Sequence, residues 1–253
     1  YCDFNSHPIK HDEVDQYIDV LVAEMKHYAK IYSDTNIIKT IFLGGGTPTT
    51  LTVYQLERIL RECVKEFKVS PDAEITIEAN PATIDIEQMK SIRQTGYNRI
   101  SIGVQSFDKT ELKLLDRAHG PEEVHSTVDC ARKAGFDNLS LDLMFAIPNQ
   151  SLSSWESNLD KALGKNPEHL STYNLTIEQG TAFSKLQSNG KLIMPEDGHQ
   201  LELYKKTIER LTKKGFHHYE ISNFSRQGKE CKHNITYWEN TNTLGLGAGA
   251  SSY

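Results

Sequence analysis

Residues 74–80 read Glu-Ile-Thr-Ile-Glu-Ala-Asn, and polar and apolar side chains alternate through the stretch. Alternation with a period of two predicts a β-strand with one apolar and one polar face. Residues 100–105 (Ile-Ser-Ile-Gly-Val-Gln) and 139–143 (Leu-Ser-Leu-Asp-Leu) repeat the pattern, and residues 172–176 continue it with Thr172, Asn174 and Thr176 as the polar set. Strands covered by helices on both sides would be apolar on both faces. The polar face of these strands therefore predicts a lumen that holds a ligand.

Helical patterns separate the predicted strands, and such alternation is typical of parallel sheets. The predicted strands span residues 37–43, 74–79, 99–105, 138–145, 169–176 and 216–222. The predicted helices span residues 12–32, 53–67, 86–95, 121–134, 152–163 and 197–214. Gly96, Gly135 and Gly215 each follow a helix, as left-handed helix caps do. We predict an α/β protein with one domain, a partial (β/α)6-type barrel of parallel strands with further β elements on its C-terminal side. The alternative is an antiparallel sheet with one wet face.

Composition narrows the class of protein. The 253 residues are 38% hydrophobic and 25% charged, with a formal net charge of −6. This charge favours no nucleic-acid partner, and no apolar run approaches the roughly 18 residues that span a bilayer. Few, widely spaced cysteines suit a reducing compartment, so we expect a cytoplasmic protein. The cysteines are Cys2, Cys63, Cys130 and Cys231, of which Cys63 and Cys130 fall on apolar helix faces and are expected to pack in the core.

The candidate site lies where the predicted strands end, because β/α barrels carry their reactive groups at the carboxyl ends of the strands. Three glycines, Gly44-Gly45-Gly46, lack Cβ atoms and let a ligand approach the backbone. A carboxylate there suits an ammonium group or ribose hydroxyls, and Arg117 suits a carboxylate. Taken singly, the glycines could form a flexible loop, Glu78 could cap a helix and Arg117 could lie on a surface. Together the strand-end residues predict a pocket for a zwitterion that carries a sugar: Gly44 to Pro48, Glu78, Gln105, Asp142 and Thr176.

These segments resemble the HemW branch of the radical S-adenosylmethionine superfamily, which is akin to the oxygen-independent coproporphyrinogen III oxidases. The resemblance covers essentially the whole chain, in matching order and spacing. The segments that carry it are Tyr-Cys-Asp-Phe-Asn-Ser (1–6), Gly-Gly-Gly-Thr-Pro-Thr (44–49), Glu-Ala-Asn-Pro (78–81), Gly-Val-Gln-Ser (103–106), Arg-Ala-His (117–119) and Asp-Leu-Met (142–144).

The resemblance implies a [4Fe–4S] cluster and S-adenosylmethionine as cofactors. Cys2 would be the third ligand of a C-x-x-x-C-x-x-C loop whose first two cysteines precede Tyr1. Since the chain begins with Tyr rather than Met, we expect residues 1–253 to be a core domain truncated at its N-terminal end. Residues 244–250 resemble the glycine segment that ends the family's barrel, which implies that the family's C-terminal domain is missing as well. The reduced cluster would cleave the C5′–S bond to give a 5′-deoxyadenosyl radical. The implied S-adenosylmethionine site comprises Tyr1, Gly45, Gly46, Thr47, Glu78, Gln105, Arg117, Asp142 and Thr176.

Two features favour a heme chaperone over an oxidase within the branch. The oxidases usually carry a further cysteine two residues after the third ligand, where this chain has Phe4. Residues 231–238 (Cys-Lys-His-Asn-Ile-Thr-Tyr-Trp) also look like the H-N-x-x-Y-W segment of HemW proteins. His233 is the candidate heme ligand, and Tyr237 or Trp238 could stack on a porphyrin. Two alternatives stay open, a hydrogen-bonded His233 without iron and ligation by Cys231.

The leading hypothesis is a protein that binds heme, carries the cluster with S-adenosylmethionine and delivers heme to hemoproteins. The first alternative is radical oxidative decarboxylation of coproporphyrinogen III to protoporphyrinogen, and the second is a non-catalytic binding module. We expect a tetrapyrrole, acceptor hemoproteins and an electron donor such as flavodoxin or ferredoxin as partners. We expect no nucleic-acid partner and no membrane span, and peripheral membrane association stays open.

Overall fold

A computed structural model describes residues 1–3 and 10–253, so Phe4, Asn5 and Ser6 of the first resembling segment lie outside the described residues. Helices and strands alternate along most of the chain. The helices are α1 (His11–Tyr32), α2 (Val53–Glu66), α3 (Ile86–Thr95), α4 (Lys109–Leu114), α5 (Pro121–Lys133), α6 (Leu152–Leu163), α7 (Ala182–Ser188), α8 (Asp197–Lys213) and α9 (Lys232–Trp238). The strands are β1 (Ile38–Leu43), β2 (Val69–Ala79), β3 (Arg99–Gln105), β4 (Leu139–Phe145), β5 (His169–Asn174), β6 (His217–His218) and β7 (Asn223–Ser225).

The strands form one sheet in the order β1-β2-β3-β4-β5-β7-β6, and β1 to β5 are all parallel. The sheet curls into a partial barrel. Hydrogen bonds across the lumen show the curl, since Cys231 at the start of α9 contacts both Glu74 of β2 and Tyr219, which in turn meets His169 of β5. The predicted parallel α/β half-barrel is confirmed.

The last predicted strand is wrong in direction and extent. Residues 216–222 hold the two-residue β6, and β7 follows at Asn223. Both pairings in this region, β5 with β7 and β6 with β7, are antiparallel. Only four residues separate β6 from β7, whereas a parallel crossover needs a dozen or more. The sixth β/α unit is thus replaced by a short antiparallel ribbon.

The predicted polar face is correct for β2, β3 and β4 but wrong for β5. Ser140 and Asp142 of β4 lie opposite His169 and Ser171 in the register. The lumen face of β5 therefore carries His169, Ser171 and Tyr173, while the Thr172 hydroxyl donates to Ser222 at 3.3 Å. Both faces of β5 mix polar and apolar residues, so its own pattern left the face ambiguous and pairing with β4 decides it.

The main core fills the space between the sheet and its helices. Ile77, Ile100, Leu141 and Leu170 point outward from successive strands and are fully buried. A second cluster joins α1 to α2, and Cys63 packs against it as predicted; Cys130 packs against the main core. Burying one aliphatic side chain contributes roughly 1.5–3 kcal/mol, so these clusters hold the strands in place.

The helix ends follow the local sequence. Thr52 caps α2, because its hydroxyl accepts from the Gln55 N–H. The side-chain oxygen of Gln55 in turn accepts from the Thr52 N–H. Gly96 and Gly135 have positive φ, as predicted for residues that end helices. The three short helices α4, α7 and α9 were not predicted, since six or seven residues are too few for a clear period. Among the described residues, no helix has the length and apolar character needed to cross a bilayer.

Candidate ligand site at the barrel mouth

The glycine segment after β1 exposes its backbone to the barrel mouth. Gly45 and Gly46 have φ of +82° and +63°, and a Cβ at either would meet no atom within 4 Å. At Gly44 a Cβ would lie 2.7 Å from the Phe42 ring and 2.9 Å from Glu78 Oε2, so glycine is required for packing. The segment thus combines one tightly packed glycine with two exposed glycines whose backbone is left-handed.

Two carboxylates face the lumen beneath this segment. Glu78 Oε2 accepts from the Gly45 N–H at 3.0 Å, and Asp142 accepts from the hydroxyls of Ser101 at 2.9 Å and Ser140 at 3.2 Å. Burial and the neighbouring Asp142 raise the pKa of Glu78 to about 7. Burial also raises the pKa of Asp142, and hydrogen bonds from Ser171 and Ser101 oppose the increase. Two partly buried acids of this kind favour a ligand that brings positive charge.

The ligand-free barrel should lose stability as the pH rises, because the folded state holds the Glu78 proton more tightly than the unfolded chain does. The loss should run from about pH 4.5, the ordinary pKa of the group, to about 7, and reach up to about 3 kcal/mol. Denaturant unfolding at several pH values measures it. Glu78→Gln should remove this part of the slope, and an identical slope in the variant would contradict the assignment.

Arg117 connects the carboxyl ends of β1, β2 and β3, which form the rim of the barrel mouth. Its Nη2 donates to the Gly103 carbonyl at 3.0 Å and to Asn80 Oδ1, and Asn80 Nδ2 in turn donates to Thr47 Oγ1 at 2.6 Å. A Cβ at Gly103 would lie 2.8 Å from Asn80 Oδ1 and 3.2 Å from Gln105 Nε2, so these side chains crowd together. The sequence interpretation omitted Asn80, although its motif and the strand parity both pointed to it.

A buried acid network holds the turn that follows Gln105, which itself has φ of +65°. Glu111, only 7% exposed, accepts from Ser106 at 2.5 Å and from Asn158 Nδ2 at 2.9 Å. Asn158 Oδ1 accepts from the Phe107 N–H at 2.6 Å. The network joins β3 to α6 and so fixes the left-handed Gln105 at the rim. No pattern in the sequence indicated this buried carboxylate.

Tyr1 lies beside the rim and Thr176 turns away from it. The Tyr1 ring packs 6.1 Å from Phe183, centroid to centroid, and its hydroxyl is close to Arg117. Cys2, the next residue, is exposed. Thr176 is exposed after the end of β5, and its hydroxyl donates to Glu178 at 3.0 Å. The structure thus brings together the predicted residues Tyr1, Gly45, Gly46, Thr47, Glu78, Gln105, Arg117 and Asp142, with Thr176 at the margin.

Deeper in the lumen lies a polar layer that sequence reasoning missed. His169 is fully buried, with Nδ1 2.8 Å from Ser140 Oγ and Nε2 2.7 Å from the Tyr219 hydroxyl. Arg99, 2% exposed, lies among the acids, and its Nε has no hydrogen-bond partner in the described part of the chain. Burial and the positive charge of Arg99 hold the pKa of His169 well below its usual range. The layer connects Asp142 to the N-terminal end of α9.

Helix α9 closes one side of the lumen and carries the predicted heme residues. Its first turn is attached to β2, where Glu74 accepts from the N–H groups of Lys232 and His233 at 3.1 Å each. Cys231 is fully buried, with its thiol 3.6 Å from Glu74, and this places the sulfur inside the lumen. At the other end of α9 the predicted stacking side chains are exposed, Tyr237 by 52% and Trp238 by 56%.

The residues present suit the cofactor that the sequence implies at the rim. The exposed backbone of Gly45 and Gly46 and the two partly buried carboxylates match an amino acid with a positive charge. For the cluster, the exposed thiol of Cys2 is available, and among residues 1–3 and 10–253 no group of three His, Cys, Asp or Glu side chains could hold a metal ion by itself.

Comparison with known proteins gives concordant matches. Residues 1–162 match the family model of the radical SAM superfamily. The chain is 40% identical to the heme chaperone HemW of Bacillus subtilis, over all of this chain and 67% of that protein, and 38% identical to HemW of Escherichia coli, over 99% and 65%. Coproporphyrinogen III oxidase (HemN) from E. coli, described as a radical SAM enzyme, superposes with a TM-score of 0.83 at 27% identity, over 99% of this chain and 60% of that one. The chain thus spans about two-thirds of these relatives.

Proposed function

The chain belongs to the radical S-adenosylmethionine superfamily and, within it, to the HemW family, and we propose that it acts in a heme chaperone. In this proposal residues 1–253 are the core domain of a longer cytoplasmic protein that binds heme and delivers it to acceptor hemoproteins. The HemW relatives that match across nearly the whole chain support the assignment.

The observation that carries the proposal is the position of α9 beside the rim. His233 stacks on Phe42 of β1, with ring centroids 5.2 Å apart, and the same Phe42 borders Gly44 at the barrel mouth. Tyr237 and Trp238 expose their rings on the same short helix. An apolar macrocycle could stack on these rings while iron binds the adjacent imidazole. Heme and the S-adenosylmethionine site at the barrel mouth would then be neighbours, separated by Phe42.

Superfamily membership implies a [4Fe–4S] cluster with S-adenosylmethionine, which when bound supplies one-electron cleavage of a carbon–sulfur bond. The residues of the rim would bind and orient the cofactor. Glu78 and Asp142 would accept hydrogen bonds from its ammonium and ribose groups, and the Gly45–Gly46 backbone would contact its methionine end. Tyr1 would cover the site, and Cys2 would contribute one thiolate to the cluster. Reduction would need an electron donor such as flavodoxin or ferredoxin.

Replacement of His233 by alanine tests the heme part of the proposal. In the intact protein we expect His233→Ala to change the Soret spectrum of bound hemin and weaken its binding by about tenfold, since a coordinate bond is lost. His217→Ala is the matched control, because His217 of β6 is an exposed histidine. An unchanged spectrum and affinity in the His233 variant would place the ligand elsewhere.

A second candidate, oxidative decarboxylation of coproporphyrinogen III, has the structural match to HemN in its favour. Phe4, which stands where such oxidases carry a further cysteine, argues against it. Anaerobic incubation of the intact, cluster-loaded protein with coproporphyrinogen III and a reductant separates the two. We expect heme transfer to an apo-hemoprotein without protoporphyrinogen formation; protoporphyrinogen at enzymatic rates would overturn the chaperone assignment.

A further inference from the structure

Both ring nitrogens of His233 already have partners. Nδ1 lies 2.9 Å from Thr40 Oγ1 on β1, and Nε2 lies 3.0 Å from the hydroxyl of Tyr237, one turn further along α9. Phe42 stacks on one face of the ring at an interplanar angle of 24°, and Tyr237 meets it edge-on at 87°. An iron atom that binds His233 must therefore displace one of these two hydrogen bonds.

The two partners differ in how easily they can move. Thr40 belongs to a strand, and Glu74 holds the first turn of α9 against the neighbouring strand through the Lys232 and His233 N–H groups. The imidazole is thus fixed relative to β1. Tyr237 lies at the exposed end of α9, and its ring is 52% exposed. A rotation of the Tyr237 side chain breaks no core packing, whereas movement of Thr40 would disturb the sheet.

We propose that Thr40 holds His233 in the tautomer protonated at Nδ1, and that the Tyr237 hydroxyl is a displaceable cap on the Nε2 lone pair. The cap leaves Nε2 when heme iron binds, and Tyr237 remains available to stack on the porphyrin. This inference rests on the proposed function, because it takes His233 as the heme ligand. It adds Thr40 as a positioning residue and a second role for Tyr237.

The donor and acceptor chemistry favours this direction of the hydrogen bonds. A phenol is a stronger donor than an aliphatic alcohol, and the imidazole lone pair is a good acceptor, so the Tyr237 O–H donates to Nε2. The remaining proton then lies on Nδ1 and is donated to Thr40 Oγ1. Metal-binding histidines usually donate their second N–H to a fixed oxygen in this way, which sets the tautomer before the metal arrives.

Hemin titration of the intact protein tests the cap through two variants with opposite expected effects. Tyr237→Phe keeps the ring but removes the hydroxyl, so hemin should bind about two- to tenfold more tightly. Thr40→Val keeps the shape of a β-branched strand residue but leaves Nδ1–H without an acceptor, so hemin should bind about tenfold more weakly. Tyr54→Phe is the matched control, since Tyr54 is 66% exposed on α2.

The outcomes separate the cap from the proposed function. If His233→Ala loses hemin but Tyr237→Phe binds it no more tightly than the unaltered protein, the cap is refuted and the heme ligand stands. If His233→Ala binds hemin normally, the ligand assignment and the cap both fail. A measurement without heme decides the tautomer, because ¹⁵N shifts of the His233 ring distinguish Nδ1–H from Nε2–H; a proton on Nε2 overturns the inference.

Discussion

Replacement of Glu78 by glutamine is expected to weaken the binding of S-adenosylmethionine by about 10- to 100-fold. Charge-assisted hydrogen bonds contribute about 1.5–3 kcal/mol, and the low-dielectric lumen around Glu78 screens little of that interaction. The glutamine amide keeps an oxygen that can accept from the Gly45 N–H, so the glycine segment should retain its conformation. Equilibrium dialysis with the intact, cluster-loaded protein measures the change.

The control for this experiment is Glu57→Gln, because Glu57 is an exposed residue of α2 whose contact is an ion pair with Arg61. Asp142→Asn should act in the same direction as Glu78→Gln, since Asp142 is close enough to Glu78 to raise its pKa. Far-UV circular dichroism should show both variants folded. Full cofactor affinity in both folded variants would mean that the pocket is misplaced, and a loss in Glu57→Gln would point to an indirect effect of surface charge.

The barrel and its rim were predictable because strand parity and strand ends are local properties of the chain. In Glu74–Asn80 the alternation of polar and apolar residues assigns each side chain to one face of the strand. Parallel strands then bring their carboxyl ends to one edge of the sheet. Glu78 and Asp142 therefore had to meet, although 64 positions separate them in the chain. The family resemblance placed Arg117 at the same rim, where it bonds to Asn80 and Gly103.

The parts that sequence reasoning missed depend on contacts between distant segments. The lumen face of β5 follows from the pairing of Ser171 with Asp142, which no pattern within β5 expresses. The Nδ1 of His233 meets Thr40, 193 positions away, and the partners of Glu74 come from α9, at the other end of the chain. Such contacts form only once the sheet has curled. The seven residues of α9 are also too few to show a clear helical period in the sequence.

Contacts inside the lumen both stabilise the seven-residue helix α9 and position its histidine. Glu74, only 6% exposed, accepts from the N–H groups of Lys232 and His233, and a seven-residue helix would not be stable without that attachment. The same attachment brings His233 against Phe42, so α9 with the proposed heme ligand lies beside the proposed S-adenosylmethionine site at the barrel mouth. Stabilisation of α9 and positioning of its histidine are thus one interaction.

Replacement of Trp155 by alanine should reduce the free energy of unfolding by about 3–5 kcal/mol, the usual cost of truncating a buried aromatic side chain. Trp155 of α6 is fully buried, packs 5.7 Å from Phe145 at the end of β4, and donates from Nε1 to Thr207 Oγ1 of α8 at 2.8 Å. Its loss should leave a cavity behind the strand that carries Asp142. Denaturant unfolding followed by circular dichroism measures the effect.

The chain offers a matched control for that truncation, because its other tryptophan, Trp238, is 56% exposed on α9. Trp238→Ala removes the same atoms from a surface position and should change the free energy of unfolding by only about 0.5 kcal/mol. Thr207 keeps its donation to the Leu203 carbonyl at 2.8 Å in the Trp155 variant, so no donor is stranded and the cost measures packing. Equal losses in the two variants would contradict the sheet-and-helix core described for α6, α8 and β4.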